Sequence, residues 1–167
     1  MANTNLVRPS RDGDQFHYLW AARRCLKLLY ADGGLVAVSI EGPSPDEQRN
    51  AEPIQAGEEL IDIAEYFGSE NIDEALLVRY MQLKHSTLHA NDPWTASGLE
   101  KTIRGFAKRF AELQRAHAQA NLAKKLEFWF VTNRPISTDV VEAIADAAAC
   151  ATPRHKANSE SSKNLLG

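Results

Sequence analysis

Two hydrophobic periods alternate along this chain of 167 residues. Apolar residues at Phe16, Leu19, Trp20, Leu26 and Leu29 follow the spacing of one helix face. Asp12, with Gln15 three positions on, makes a capping-box-like start, and the run ADGG stops the helix after about Tyr30. Three strand-like runs come next: Leu35 to Glu41, Leu60 to Phe67 and Leu76 to Lys84. Residues 42–57, rich in Pro, Glu, Gln and Gly, read as a surface loop, and Gly68 to Glu74 as a turn. Ser97-Gly-Leu-Glu100 is a capping box, and it opens a long helix with apolar positions at Leu99, Ile103, Phe106, Phe110 and Leu113. Asn121 suits its stop. The run LEFWFV over 126–131 is apolar on both faces, as expected of a central buried strand. Asn133-Arg-Pro breaks it, and Ser137 is placed to cap a final helix to about Cys150.

The order is helix, three strands, helix, strand, helix. It predicts an α/β domain over 11–151, with a mixed sheet between helices and a right-handed crossover from the third strand to the fourth. Residues 152–167 are polar and read as a linker or tail leading to a further domain.

Composition is that of a globular domain, 44% hydrophobic and 25% charged, and no apolar run reaches the roughly 20 residues of a membrane span. The N-terminal residues lack the apolar stretch of a secretion signal, so a cytoplasmic protein is expected. Cys25 and Cys150 have no metal-site spacing and read as buried thiols. The net charge of −3 argues against a nucleic-acid partner, but its distribution argues for one. Eleven acidic residues and a single basic one lie between Glu41 and Glu74, whereas Gly98 to Lys125 holds seven basic and two acidic. One face can therefore be positive on a chain that is acidic as a whole. Two solvated surfaces of opposite sign are the plainer alternative.

The strands carry unexpected polar residues. Glu41 ends the first, Asp62 lies within the second, and Gln82 and Lys84 share one face of the third. An unpaired buried charge costs several kcal/mol, so such residues call for a reason. If the strands form a meander, Asp62 lies beside Gln82 and Lys84, with Glu41 near the same end. A divalent cation bound there would activate water, offset phosphorane charge and stabilise the leaving oxygen. Magnesium prefers oxygen ligands: the Asp62 carboxylate, the Gln82 amide oxygen and the Leu83 carbonyl qualify, and Lys84 is suited to neutralise charge in the transition state.

The acidic residue followed by Gln82-Leu83-Lys84 on the next strand resembles the PD-(D/E)xK restriction-endonuclease-like superfamily, in the Mrr-like variant with glutamine in the third motif. The fuller pattern RDGDQFHYLWAARRCLKLL, VSIEG, IDIAEYFG, RYMQLKHST and FVTNRPIS resembles the DUF4297/Cap4-like effector nucleases of bacterial antiphage systems, over about residues 11 to 140. The resemblance implies a three-layer restriction-endonuclease-like core of order α-β-β-β-α-β-α and an endonuclease that cleaves DNA with little sequence specificity. It implies Mg2+, with Mn2+ as an alternative. It makes Asp62 a metal ligand, Gln82 a flanking one and Lys84 the catalytic lysine. Glu41 matches an acidic position on the first strand, and Gln15 a polar position on the first helix. Such effectors are fused to a sensor or NTPase domain and act as homo-oligomers. Two departures stand out. Ile61 replaces the proline before Asp62, and Gln82 removes a carboxylate, a deficit that Glu41 would have to restore.

Lys101, Arg104 and Lys108 on the long helix, and Arg134 after the last strand, are candidate DNA-phosphate contacts, which position a duplex without reading its sequence. A solvated basic helix face and a proline-fixed loop are the alternatives. His85, beside Lys84, is a candidate phosphate contact or secondary acid. His85 and His89 lack a third ligand for zinc. Gln15 can be a capping partner alone, and Asp62, Gln82 and Lys84 can be exposed strand residues. The competing functional reading is a catalytically silent copy of the fold, used for nucleic-acid binding or assembly. An unrelated scaffold with scattered polar residues is a third.

Overall fold

The structure is a computed structural model that describes residues 7–30, 33–45, 47, 60–117 and 121–151, with backbone alone at 7–12 and 151. Residues 46 and 48–57 of the expected loop, and the tail over 152–167, lie outside the described residues. Helix α1 spans Val7–Cys25 and runs into a short 3-10 turn, Leu26–Leu29. Strands β1 (Leu35–Ile40), β2 (Ile63–Phe67) and β3 (Leu77–Lys84) follow, then the long helix α2 (Ala96–Ala116) and the short α3 (Leu122–Lys125). Strand β4 (Leu126–Thr132) and helix α4 (Thr138–Ala151) complete the order. No described helix is long and apolar enough to cross a membrane.

The four strands form one mixed sheet in the order β1-β2-β3-β4. The first three make an antiparallel meander, and β4 lies parallel to β3, from Val78↔Leu126 to Lys84↔Thr132. A parallel neighbour requires a crossover, which α2 and α3 supply. The fold is thus α/β, with a helix on each face of the sheet. Ala21, Phe16 and Trp20 of α1 pack with Ile63, Met81, Leu83 and Val131. On the opposite face, Leu113 and Phe110 of α2 pack with Ala64, Tyr66, Val78, Tyr80 and Phe128.

Each face also holds a buried ion network. Glu65 of β2, with no solvent exposure, receives Arg24 of α1 through both carboxylate oxygens, the Nη2 bond measuring 2.5 Å. Arg79 of β3 adds a bond to Glu65 at 3.1 Å and another to Glu127 at 2.7 Å, and stacks 4.0 Å over the Trp129 ring. On the α2 face, Glu47 is buried and accepts from Tyr66 and Tyr80 hydroxyls at 2.7 Å each and from Arg109. Burial and the Glu47 charge push both phenols upward, so they remain donors. Ser44 and Glu47 are therefore core residues, not the surface loop that composition suggests. Their partners come from β2, β3 and α2 and are invisible to local pattern.

Other expectations are also corrected. α1 starts at Val7, so Asp12 and Gln15 lie inside the helix with no end to cap. Thr95, not Ser97, caps α2, its hydroxyl accepting from the Gly98 N–H. α2 ends at Ala116, before Asn121, which instead precedes α3. β4 is the last strand of the sheet and only half-buried, not central, because β3 covers one edge alone among the described residues. Leu19 and Leu29 are exposed rather than on the inward stripe. Cys25 is half-buried and Cys150 exposed, both as free thiols.

Candidate active site

The β2–β3 ladder ends in a side chain. Regular pairing runs from Phe67↔Leu77 to Ile63↔Met81. One residue earlier, the Asp62 N–H donates to the Met81 carbonyl at 2.9 Å, and the Asp62 carbonyl accepts from the Glu41 N–H at 2.8 Å. The Asp62 carboxylate then occupies the next position along β3, with Oδ2 accepting from the Leu83 N–H at 2.5 Å. A charge-assisted bond of this kind holds the group firmly. It fixes the carboxylate on the middle residue of Gln82-Leu83-Lys84. Glu41 is drawn to the same strand end through its backbone. It is exposed and holds a left-handed φ of 59°, uncommon for a residue with a side chain.

The first helix contributes a residue that sequence reasoning missed. Phe16, His17, Trp20, Ala21 and Arg24 turn toward the sheet at helical spacing. The His17 ring lies over the end of β3, where Nε2 donates to the Leu83 carbonyl at 3.1 Å and Nδ1 stands 3.9 Å from Asp62 Oδ1. Gln15, the polar position expected to support the site, is exposed on the outer side of α1. The signal for His17 was its place on the Phe16–Trp20 stripe, which a face drawn through the exposed Leu19, Leu26 and Leu29 obscured.

Gln82 and Lys84 face the other way, toward α2, as strand alternation requires of residues in phase with Tyr80. Gln82 is buried, its Oε1 accepting from the Thr102 hydroxyl at 2.6 Å. Lys84 is exposed at the mouth of a cleft of about 340 Å³ that Gln82, Thr102, Lys101, Lys108 and Trp94 also line. Gly105 lets α2 come close here, since a Cβ on it would stand 2.6 Å from the Leu60 side chain. Lys101 and Lys108 thus join Lys84, as their candidate role requires. Arg104 falls further round α2 and pairs with Glu100 at 2.8 Å. Arg134 stacks on Trp94 at 4.2 Å and donates to the Asp92 carbonyl at 2.8 Å, so its guanidinium secures the loop before α2. His85 stacks on Phe16 of α1 at 4.9 Å, on the face away from the lysines.

The expected constellation is therefore joined through one peptide and divided by the sheet. Asp62 and the Leu83 backbone look toward His17, while Gln82 and Lys84 look into the basic cleft. Among the described residues, no three His, Cys, Asp or Glu side chains gather into a metal cage. The Leu83 and Gln82 oxygens each already accept one hydrogen bond, and each retains a second lone pair. Asp62, with its side chain 24% exposed, keeps Oδ1 open toward solvent and His17. Asp62 and the Leu83 carbonyl, on the His17 side of the sheet, fit a divalent cation that keeps most of its waters, with Asp62 as the charged ligand, and Gln82 lies apart from them on the α2 side. The sequence matches no family model and no curated protein.

Proposed function

We propose that this chain is a metal-dependent endonuclease domain of the restriction-endonuclease-like class. In this reading it hydrolyses DNA phosphodiester bonds with little sequence specificity, as the effector part of a bacterial antiphage protein. The observation that carries the reading is the 2.5 Å bond from the Leu83 N–H to the Asp62 carboxylate, which joins the acid to the Gln82-Leu83-Lys84 strand. The meander followed by a parallel fourth strand supports it, as does the set of lysines in the α2 cleft.

The residues divide the work by their chemistry. Asp62 and the Leu83 carbonyl, with Glu41 at the same strand end, would hold the cation, while Gln82 faces the α2 cleft on the other side of the sheet. A divalent cation supplies an acidified water and neutralises charge on phosphorus. Lys84, exposed at the strand end, donates to the scissile phosphate or to the attacking water. Lys101 and Lys108 pair with flanking phosphates, which sets backbone recognition and a steep salt dependence. Thr102 fixes the Gln82 amide.

The buried, engaged Gln82 amide favours the second reading, a silent copy of the fold that binds nucleic acid through the lysine cleft. Nicking of supercoiled plasmid in Mg2+ or Mn2+ separates the two. Wild type should nick and stop in EDTA, and Lys84→Ala should lose at least about a hundredfold in rate. Equal cleavage by the variant removes Lys84 from the mechanism, and binding without cleavage by wild type establishes the silent domain.

A further inference from the structure

The Gln82 amide has half of its hydrogen bonding settled and half open. Its Oε1 accepts from the Thr102 hydroxyl at 2.6 Å, which fixes the sense of the amide. Its N–H2 group donates to no protein atom among the described residues, although the residue is only 4% exposed. The nitrogen is not sealed in the core, as the unpaired Trp20 Nε1 is, and it opens into the cleft that Gln82 lines between β3 and α2. A buried donor without an acceptor is costly, so this one calls for a partner.

The cleft decides what kind. Lys84, Lys101 and Lys108 stand around it, and none of the described residues that line it is acidic. Lys108 has a carboxylate nearby, Glu112 at 3.8 Å one turn along α2, which lies outside the lining. Ammonium groups and an amide N–H2 offer donors alone, so the cleft suits an anion rich in acceptors.

We propose that the floor of this cleft binds a phosphomonoester, the terminal phosphate of a nucleic-acid strand or of a free nucleotide, with Gln82 Nε2 as a donor and Lys101 and Lys108 as its counter-charges. The inference goes beyond the nuclease reading. It needs neither Asp62 nor a metal, and it assigns Gln82 to an anion rather than to a cation.

Three features favour a terminal phosphate over one inside a backbone. A phosphomonoester carries close to two negative charges at neutral pH, which matches three lysines better than the single charge of a diester. The buried amide lies below the lysines, and a phosphate with one substituent can descend to it, whereas a diester is held at the rim by a sugar on each side. A volume of about 340 Å³ is at the small end of ligand pockets and fits a nucleotide, for which Leu60 and Trp94 supply an apolar wall.

The test is isothermal titration of the full chain in EDTA at low salt. The ligands are a short oligothymidine with a 5′-phosphate, a 3′-phosphate or hydroxyls at both ends, and thymidine 5′-monophosphate. One terminal phosphate should tighten strand binding at least about tenfold over the hydroxyl-ended strand. Gln82→Glu, which sets a carboxylate in place of the donor, should abolish that gain, and Lys101→Ala should reduce it several-fold. The gain is a ratio within each protein, and Lys101 is exposed, so its variant decides the matter if Gln82→Glu folds poorly. A gain on one strand assigns the site to a strand end. Mononucleotide binding that Gln82→Glu abolishes, without a gain on the strands, assigns it to a free nucleotide. Equal affinity for the three strands with no mononucleotide binding overturns the proposal, as does a gain that both substitutions leave intact. Binding is read without metal, so this failure leaves the nuclease reading standing, and a failure of plasmid nicking leaves the phosphate site standing.

Discussion

Glu65 and Asp62 stand three residues apart at the β2 end of the molecule, and the protein treats their charges in opposite ways. Glu65 is fully buried, and two arginines from α1 and β3 occupy its oxygens. Asp62 is partly open and meets one peptide N–H and a histidine 3.9 Å away. A buried carboxylate kept for structure needs complete pairing, because the desolvation cost is recovered only through good geometry and full satisfaction of its lone pairs. A carboxylate held by a single peptide and left short of positive charge retains attraction for a ligand. The same contrast separates Glu47, closed off by two tyrosines and Arg109, from the lysine cleft on its own face of the sheet.

The contrast is broken most severely at Glu65. Glu65→Ala leaves Arg24 buried without its carboxylate and should cost about 3–5 kcal/mol of stability, measured by urea unfolding. Any loss of cleavage by this variant should follow the folded fraction. A smaller effect is expected in the cleft. Lys101→Ala and Lys108→Ala should leave stability within about 0.5 kcal/mol and should each reduce the slope of log affinity for DNA against log salt by about one. Arg104→Ala, whose side chain pairs with Glu100 outside the cleft, should leave that slope unchanged.

Much of this contrast was readable from sequence, but unevenly. The strands and their order follow from the apolar runs, and alternation along 77–84 placed Gln82 and Lys84 on one face. Asp62 was legible as an acid out of place in an apolar run, although it lies just before β2 rather than inside it. Its carboxylate's use as a ladder partner for Leu83 was not, since that depends on where β2 leaves regular pairing. His17 was hidden by an error of helix phase, because Leu19, Leu26 and Leu29 were counted on the inward face and are exposed. Glu47 was hidden by composition, since an acidic residue in a Pro- and Glu-rich segment reads as solvated until its partners from three other elements are known. β4 misled in the opposite sense. Its apolar residues on both faces suggested a central strand, yet β4 is the last strand of the sheet, and Arg79 stacks over Trp129 on one face.

Asp62→Asn tests the central claim most directly, with unfolding and plasmid cleavage measured on the same preparation. The amide keeps an oxygen to accept from the Leu83 N–H but loses the charge. The account predicts a stability within about 1 kcal/mol of wild type and a fall in metal-dependent nicking of at least about a hundredfold. A variant that unfolds as easily as Glu65→Ala, or one that nicks plasmid as fast as wild type, would contradict it.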